Sequence, residues 1–478
     1  MEFQSKKILV MGLGTLGGGV ATTKWLVKRG AKVTVTDLRA KRELAPSIKA
    51  LGTDAKKVRF VLGAHREADF RTHDIVVVNP AVPRGSKFLA IARAAGKQIV
   101  NDARIFFDLA PNSIVAVTGT RGKTTTANWI AHFLRAGDKA VFAAGNTPNR
   151  PLLADLDRLA HRPDTPAVLE LSSWQLELLG EAWRAPDVAV ITNLYPDHLN
   201  RYRGMEDYAH AKAVIFQNQN PAQAIILNAQ NKWTAFFLKM NPRGRHYFFS
   251  LKTLPRDTQG LFLRHSEIIF TESGEVKTLA GKKFVRDFVS VWGTHNLENL
   301  LAAMLATHLS GLAWQTILAR ISSIPSIPFR QEIIMRRRAF LVVNDSASTS
   351  PDAVIAALTR FRGSGARLIT GGTDKKLEFQ NLARIMKKSI PAAQTFFLNG
   401  SATKKLLREL SQVGFFGKQR PQVFENLPDI LRTIKSGLKT HNRQLTTILF
   451  SPGAASFEKF KNEFDRGRRF AEAARKYL

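Results

Sequence analysis

The chain has 478 residues, with 71 Lys and Arg against 38 Asp and Glu, a formal net charge of +33. At roughly 100–200 residues per domain this length holds two to four domains, and 44% hydrophobic residues can fill their cores, which excludes a wholly disordered basic tail. There is no cysteine, which excludes a disulfide framework, a thiolate nucleophile and a cysteine-ligated metal.

Lys7–Met11 is an apolar strand run, followed by Gly12-Leu13-Gly14-Thr15-Leu16-Gly17 and a helical pattern that ends at Arg29-Gly30. The opening apolar run is too short for a signal peptide, and no later segment has 18 apolar residues without charge. A cytoplasmic chain without membrane insertion is expected. Lys32–Thr36 is the next strand, closed by Asp37; Val58–Leu62, Ile75–Asn79 and Gln98–Val100 are further short strands, with a helix over Ala90–Ala95. This alternation predicts a mostly parallel sheet. Glycines in GxGxxG spacing after a strand let backbone N–H groups approach an anion, and Asp37 stands where a ribose-binding acid belongs. A tight turn that only packs is the competing reading.

A second unit begins near Pro111. Ser113–Thr118 reads as a strand, Gly119-Thr120-Arg121-Gly122-Lys123-Thr124 as a phosphate loop, and Thr124–Arg135 as a helix. Lys123 supplies a point charge near a transferring phosphate, and the Thr124 hydroxyl can reach Mg²⁺. Val117 occupies the first glycine position of the strict GxxxxGK[ST] pattern. Buried strands follow at Ala167–Leu171, Val188–Asn193 and Ala224–Asn228. Short segments over 245–290 suggest a peripheral sheet, and Thr294–Leu309 a helix. Glu170 near one strand end and His198 after another are candidate Mg²⁺ ligands, though a lone histidine is more often a hydrogen-bonded or surface residue. Lys212 by itself reads as a helix-surface lysine, and the amides in His295-Asn296-Leu297-Glu298-Asn299 as caps or nucleotide contacts.

Prolines punctuate Ser322–Pro328, which reads as a linker. Beyond it Phe340–Val343, Pro351–Leu358, Leu368–Thr370, Leu382–Lys388, Thr395–Leu398, Lys404–Leu410 and Thr446–Phe450 repeat the α/β rhythm. Asn344-Asp345-Ser346 ends a strand there, and Ser451–Ser456 resembles a backbone anion-binding turn. Three α/β domains result, 1–107, 108–325 and 326–478. The basic runs Arg336–Arg338 and Arg466-Gly467-Arg468-Arg469 read as solvated faces, and no nucleic-acid partner is expected. Against the basic whole, residues 151–200 hold 3 basic and 8 acidic side chains, net −5.

Assembled in order, these strings resemble the Mur ligase family along nearly the whole chain. They are Gly119–Thr125, Glu170-Leu171-Ser172-Ser173-Trp174-Gln175-Leu176, Pro196-Asp197-His198-Leu199 with Arg201, Tyr208 with Ala211-Lys212, and His295–Asn299. Further along come Phe329-Arg330, Asn344-Asp345-Ser346, Gly371-Gly372 with Asp374-Lys375, and Ser451–Phe457 with Arg466-Gly467. The Glu-Leu-Ser-Ser-aromatic-Gln-Leu string points to the D-glutamate-adding branch.

The resemblance implies a three-domain architecture: a Rossmann-like domain binding a UDP-substrate, a central P-loop ATPase and a Rossmann-like C-terminal domain that binds the amino acid. It implies ATP, two Mg²⁺ sites, the substrates UDP-N-acetylmuramoyl-L-alanine and D-glutamate, an acyl-phosphate intermediate and a monomer. ATP would be held by Gly119, Thr120, Arg121, Gly122, Lys123, Thr124, Thr125, Asn296, Asn299, Arg330 and Asp345. Thr124, Glu170, His198 and a carbamylated Lys212 would serve the metals. Gly14, Thr15, Leu16, Asp37, Arg39 and Asn146 would contact the UDP-substrate, and Thr349, Lys375, Ser456 and Phe457 D-glutamate. Arg121 departs from the family's Asn, Ala347 from a lysine, Gly453-Ala454 from Ala-Cys and Glu463 from an aromatic. A related ligase with another amino acid or acceptor, and a non-catalytic ATP-binding scaffold, are the rival readings.

Overall fold

The computed structural model describes residues 2–145, 150–199, 201–438 and 445–478; Asn146 lies outside the described residues. Strands and helices alternate through most of the chain in an α/β fold with more than one sheet. Strands β1 (Lys7–Met11), β2 (Lys32–Asp37), β3 (Arg59–Leu62), β4 (Ile75–Val78) and β5 (Gln98–Val100) form a parallel sheet in the order β3-β2-β1-β4-β5.

The second sheet takes β6 (Ile114–Thr118), β7 (Phe142–Gly145), β8 (Ala167–Glu170), β9 (Val188–Ile191), β10 (Ala224–Asn228), β11 (Arg245–Ser250), β12 (Gly260–Arg264), β13 (Glu267–Glu272) and β14 (Glu275–Ala280). Its order is β14-β13-β12-β11-β10-β9-β6-β8-β7, antiparallel only at β12-β13-β14. The third takes β15 (Glu332–Arg336), β16 (Phe340–Asn344), β17 (Arg367–Thr370), β18 (Thr395–Leu398), β19 (Gln422–Phe424) and β20 (Thr446–Phe450), in the order β15-β16-β20-β17-β18-β19.

The chain divides into two compact units, Met1–Val285 with Glu298–Ile324, and Arg286–Leu297 with Pro325–Leu478. The first two sheets lie in the first unit, and one apolar core runs through it from Ile8, Val10 and Val35 to Phe106, Ile114, Leu169 and Ile215. The central strands β6, β8, β9 and β10 are buried at every position, which is why they read as unbroken apolar runs. Among the described residues no helix is long and apolar enough to cross a membrane.

Two stretches depart from the sequence reading. The peripheral sheet ends at Ala280, and Lys282–Trp292 is a helix because Phe284, Val285, Phe288 and Val289 recur at helical spacing. The run Arg336–Arg338 sits at the exposed turn of the β15–β16 hairpin. Positive charge there discourages the sheet edge from pairing with another chain.

Within the first unit Arg201 is held by a buried counter-charge. Its guanidinium pairs with Glu177, donates to the carbonyls of Pro80 (3.1 Å) and Val82 (3.0 Å), and stacks 4.5 Å from the Trp174 ring centroid. The two side chains are 11% and 3% exposed. Arg201→Met strands a buried carboxylate and is expected to cost about 3–5 kcal/mol, read as a lower Tm. Adding Glu177→Leu should recover most of that loss. A double variant no more stable than Arg201→Met would contradict this account.

Candidate active site

The site in the first unit follows from strand order. β6 lies between β8 and β9, with Val117 in register with Glu170 and Thr118 with Ile191. Where neighbouring strands leave in opposite directions, the loops at their carboxyl ends part and open a crevice. The loop Gly119–Gly122 emerges there and leads into the helix Lys123–Leu134. Backbone N–H groups at such a helix start favour an anion.

Glycine is required in this loop. Gly119 has φ 144° and Gly122 φ 79°; an added Cβ would come within 1.9 Å of Thr192 Oγ1 and 2.2 Å of Asn299 Oδ1 respectively. The segment after β9 laces the loop in place. The Asn193 carbonyl accepts from the Thr120 N–H (2.9 Å), and Asn193 Oδ1 from the Arg121 N–H (2.9 Å). Thr192 Oγ1 donates to the Arg121 carbonyl (2.6 Å). The sequence reading missed Thr192 and Asn193; two polar residues ending the apolar run Val188–Ile191 were the available signal.

The candidate ligands come from three segments: the end of β8, the stretch after β9, and a helix that touches this loop. Glu170 ends β8 and is buried. His198 holds a left-handed φ of 55°, uncommon for a residue with a side chain. Its ring packs against Trp174 and Tyr208, with centroids 5.2 and 6.1 Å away. Lys212 is not a surface lysine. It lies on the helix Met205–Gln217 and is 1% exposed. Its Nζ donates to the Gly119 carbonyl at 2.8 Å and stands 4.7 Å from the Tyr208 ring centroid. Burial, followed by the charge of Lys123, pushes this amine well below its ordinary value, against the pull of Asp197 and Glu170. Lys123 Nζ donates to the Thr120 carbonyl at 3.1 Å, and Thr124 and Thr125 begin the same helix.

At the first sheet, Asp37 is buried and accepts from the N–H groups of Gly14 (3.1 Å) and Arg39 (2.9 Å). Its carboxylate therefore shapes the glycine loop, while Thr15, Leu16 and Arg39 remain exposed.

The second unit has its own convergence. β20 lies between β16 and β17, so the loops after these three strands meet. Arg466, fully buried on the helix Glu463–Tyr477, ties the loops after β16 and β20 together by donating to the carbonyls of Ser346 (2.8 Å), Ala454 (3.0 Å) and Ala455 (3.0 Å). Asp345 accepts from the Gln331 N–H (3.0 Å) and Ser451 Oγ (2.7 Å). Burial pushes its carboxyl up to about 7, opposed by those two bonds and by the charges of Arg330 and Arg360. Ser456 Oγ is buried without a hydrogen-bond partner among the described residues. Phe457 is exposed, and Thr349 and Lys375 are half-buried on the same loops. Asn296, Arg330 and Asp345 belong to this unit, Asn299 to the first.

Hard oxygen donors suit Mg²⁺, which is commonly held by one or two carboxylates plus substrate phosphates. Glu170 and Thr124 fit that chemistry. The protonated Lys212 ammonium has no acceptor and does not. Among the described residues no group of three or more His, Asp or Glu is placed to hold a metal.

Comparison with known proteins gives one consistent set of relatives. Residues 117–307 match the Mur ligase middle domain, and residues 6–101 the Mur ligase MurD-like N-terminal domain. A protein of Roseiflexus sp. (strain RS-1) named UDP-N-acetylmuramoylalanine--D-glutamate ligase is 38% identical, covering 98% of each chain. A protein of the same name from Borreliella afzelii is 32% identical over 98% of this chain and 97% of its own. Among solved structures, MurF from Acinetobacter baumannii superposes with a TM-score of 0.59 at 15% identity, covering 99% of this chain and 91% of its own. A pseudomurein peptide ligase type C from Methanothermus fervidus gives 0.55 at 18%, covering 99% and 100%.

The raised Asp345 carboxyl has a measurable consequence. Its charged form is disfavoured in the fold, so stability falls as pH rises from 3.8 to about 7. Asp345→Asn should remove that part of the slope. The Tm advantage of wild type over variant should shrink across this window and stay constant above it. A variant that kept the wild-type slope in thermal melts would contradict the assignment.

Proposed function

The chain belongs to the Mur ligase family of ATP-dependent amide ligases, and we propose that it adds D-glutamate to UDP-N-acetylmuramoyl-L-alanine in peptidoglycan precursor synthesis. The observation that carries this reading is the buried Lys212 amine anchored on the phosphate loop, with Glu170 at the end of the adjacent strand.

In this reading three modules share the work: 1–107 holds the UDP-substrate through its glycine loop, 108–325 holds ATP, and 326–478 holds D-glutamate. Lys123 and the loop N–H groups bind the ATP phosphates. The substrate carboxylate attacks the γ-phosphorus, the bond to ADP breaks, and an acyl phosphate forms. The amine of D-glutamate then attacks the acyl carbon. The tetrahedral adduct collapses to the amide, releasing phosphate, and the amine proton passes to solvent. Lys123 offsets charge while phosphate passes between two anions. Mg²⁺, held by Glu170, His198 and Thr124, would supply further neutralisation of the phosphate oxygens. Asn296, Asn299, Arg330 and Asp345 would complete the nucleotide contacts, and Thr349, Lys375, Ser456 and the Phe457 backbone those to D-glutamate.

Lys212 has a defined part. Its depressed basicity favours the neutral amine, which can add CO₂ to give a carbamate and release one proton. That converts a buried cation into an oxygen donor suited to Mg²⁺. With ¹³C-bicarbonate, NMR of the wild type should show a carbamate resonance that Lys212→Ala lacks; identical spectra would remove this role.

A related acceptor is the second reading, favoured by Ala347 and Glu463 at the departures noted above. Incubation with ATP, Mg²⁺, UDP-N-acetylmuramoyl-L-alanine and separate amino acids, read by product mass, decides between them. D-glutamate product supports the proposal; product with another amino acid alone supports the second reading. Phosphate release indifferent to every acceptor supports a scaffold that uses ATP as a switch. Lys123→Ala should lower ligation by about 100-fold or more while keeping the wild-type melting curve.

A further inference from the structure

A second basic cleft lies in the first unit, sharing no residue with the phosphate loop or the N-terminal glycine loop. It encloses about 480 Å³ beside β7, the terminal strand of the nine-stranded sheet. Arg135, Arg150, Arg158 and Arg162 line it, with Phe142 and Leu159 contributing apolar surface. Asp155 is the one acidic residue of the lining. Among the described residues none of the four guanidinium groups makes a hydrogen bond or an ion pair. Burial and the charges of Arg150 and Arg320 hold Arg135 below its ordinary value. The basic whole does not account for this clustering. Residues 151–200 are net −5, yet two of their three basic side chains, Arg158 and Arg162, face the cleft.

Like charges gathered without counter-ions are unfavourable unless an anion joins them. Planar guanidinium forks match the oxygens of phosphate, and the apolar wall can take a carbon body. The volume lies in the range of small-molecule sites. We propose that this cleft is a binding site for a small phosphorylated organic anion of nucleoside monophosphate size. The inference stands apart from the ligase reading, since none of these arginines has a part in it.

The test is calorimetric titration of the full chain with AMP, with ADP and Mg²⁺ saturating the phosphate loop. Wild type should bind one equivalent of AMP. Arg158→Gln/Arg162→Gln should weaken this by about tenfold or more, the loss of one charge-assisted hydrogen bond or more. The melting temperature of the double variant at low salt should be no lower than that of wild type, because no side-chain hydrogen bond or ion pair among the described residues is lost. Its ligation rate should be unchanged, so failure here leaves the ligase reading intact. Equal AMP affinity in both proteins would overturn the site, as would the absence of any binding. Inorganic pyrophosphate separates the sources: binding of pyrophosphate without AMP would overturn the organic part of the proposal. A raised KM for the UDP-substrate in the double variant, with AMP binding intact, would overturn it in favour of an extended substrate site.

Discussion

The position of β6 between β8 and β9 is the constraint on which the first unit depends. It parts the flanking loops at one edge of the sheet and brings three sequence-distant segments against Gly119–Gly122. The glycines then have no alternative, since side chains and backbone of the β9 loop and Asn299 occupy the space a Cβ would need. Lys212 is buried for the same reason: its helix packs across the strand end, and the Gly119 carbonyl gives its amine a partner. The second unit repeats the device with β20 between β16 and β17.

Buried charge is handled differently in the two places. In the first unit burial and the charge of Lys123 lower the basicity of a buried amine against the pull of its acidic neighbours. In the second, Asp345 gains proton affinity while two donors hold its oxygens, and Arg466 spends its guanidinium on loop carbonyls. Both arrangements keep polar groups satisfied inside apolar surroundings, which fixes loop positions more tightly than packing alone. Ser456 Oγ is one of several buried polar atoms among the described residues where this satisfaction stops.

Most strands were legible because fully buried strands leave long apolar runs: Lys7–Met11, Ala224–Asn228 and Thr446–Phe450 fall where the runs predicted them. Three edge strands of mixed composition were not legible, although the edge strands Arg59–Leu62 and Gln98–Val100 were. Phe142–Gly145, Glu332–Arg336 and Gln422–Phe424 pair on one side only, so their composition is mixed and their hydrogen-bond partners, distant in sequence, define them. The helix Lys41–Leu51 contains Pro46, a residue that ordinarily argues against a helix.

Glycine spacing and apolar periodicity act over a few residues and survive without tertiary context, so the glycine loop after Ser113–Thr118 and the alternation of strands and helices could be read from the chain, and the candidate donors named. Where the charged residues lie and what they touch depends on the packed fold. Lys212 moved from surface to interior, Asp37 became a brace for the glycine loop, and Thr192 and Asn193 emerged as its clamps. The net charge of +33 likewise resolved into particular placements: arginines at an exposed hairpin, one buried as a tie, and four gathered around a cleft. Desolvation and the identity of the nearest opposite charge set these roles, and both depend on segments far apart in the chain.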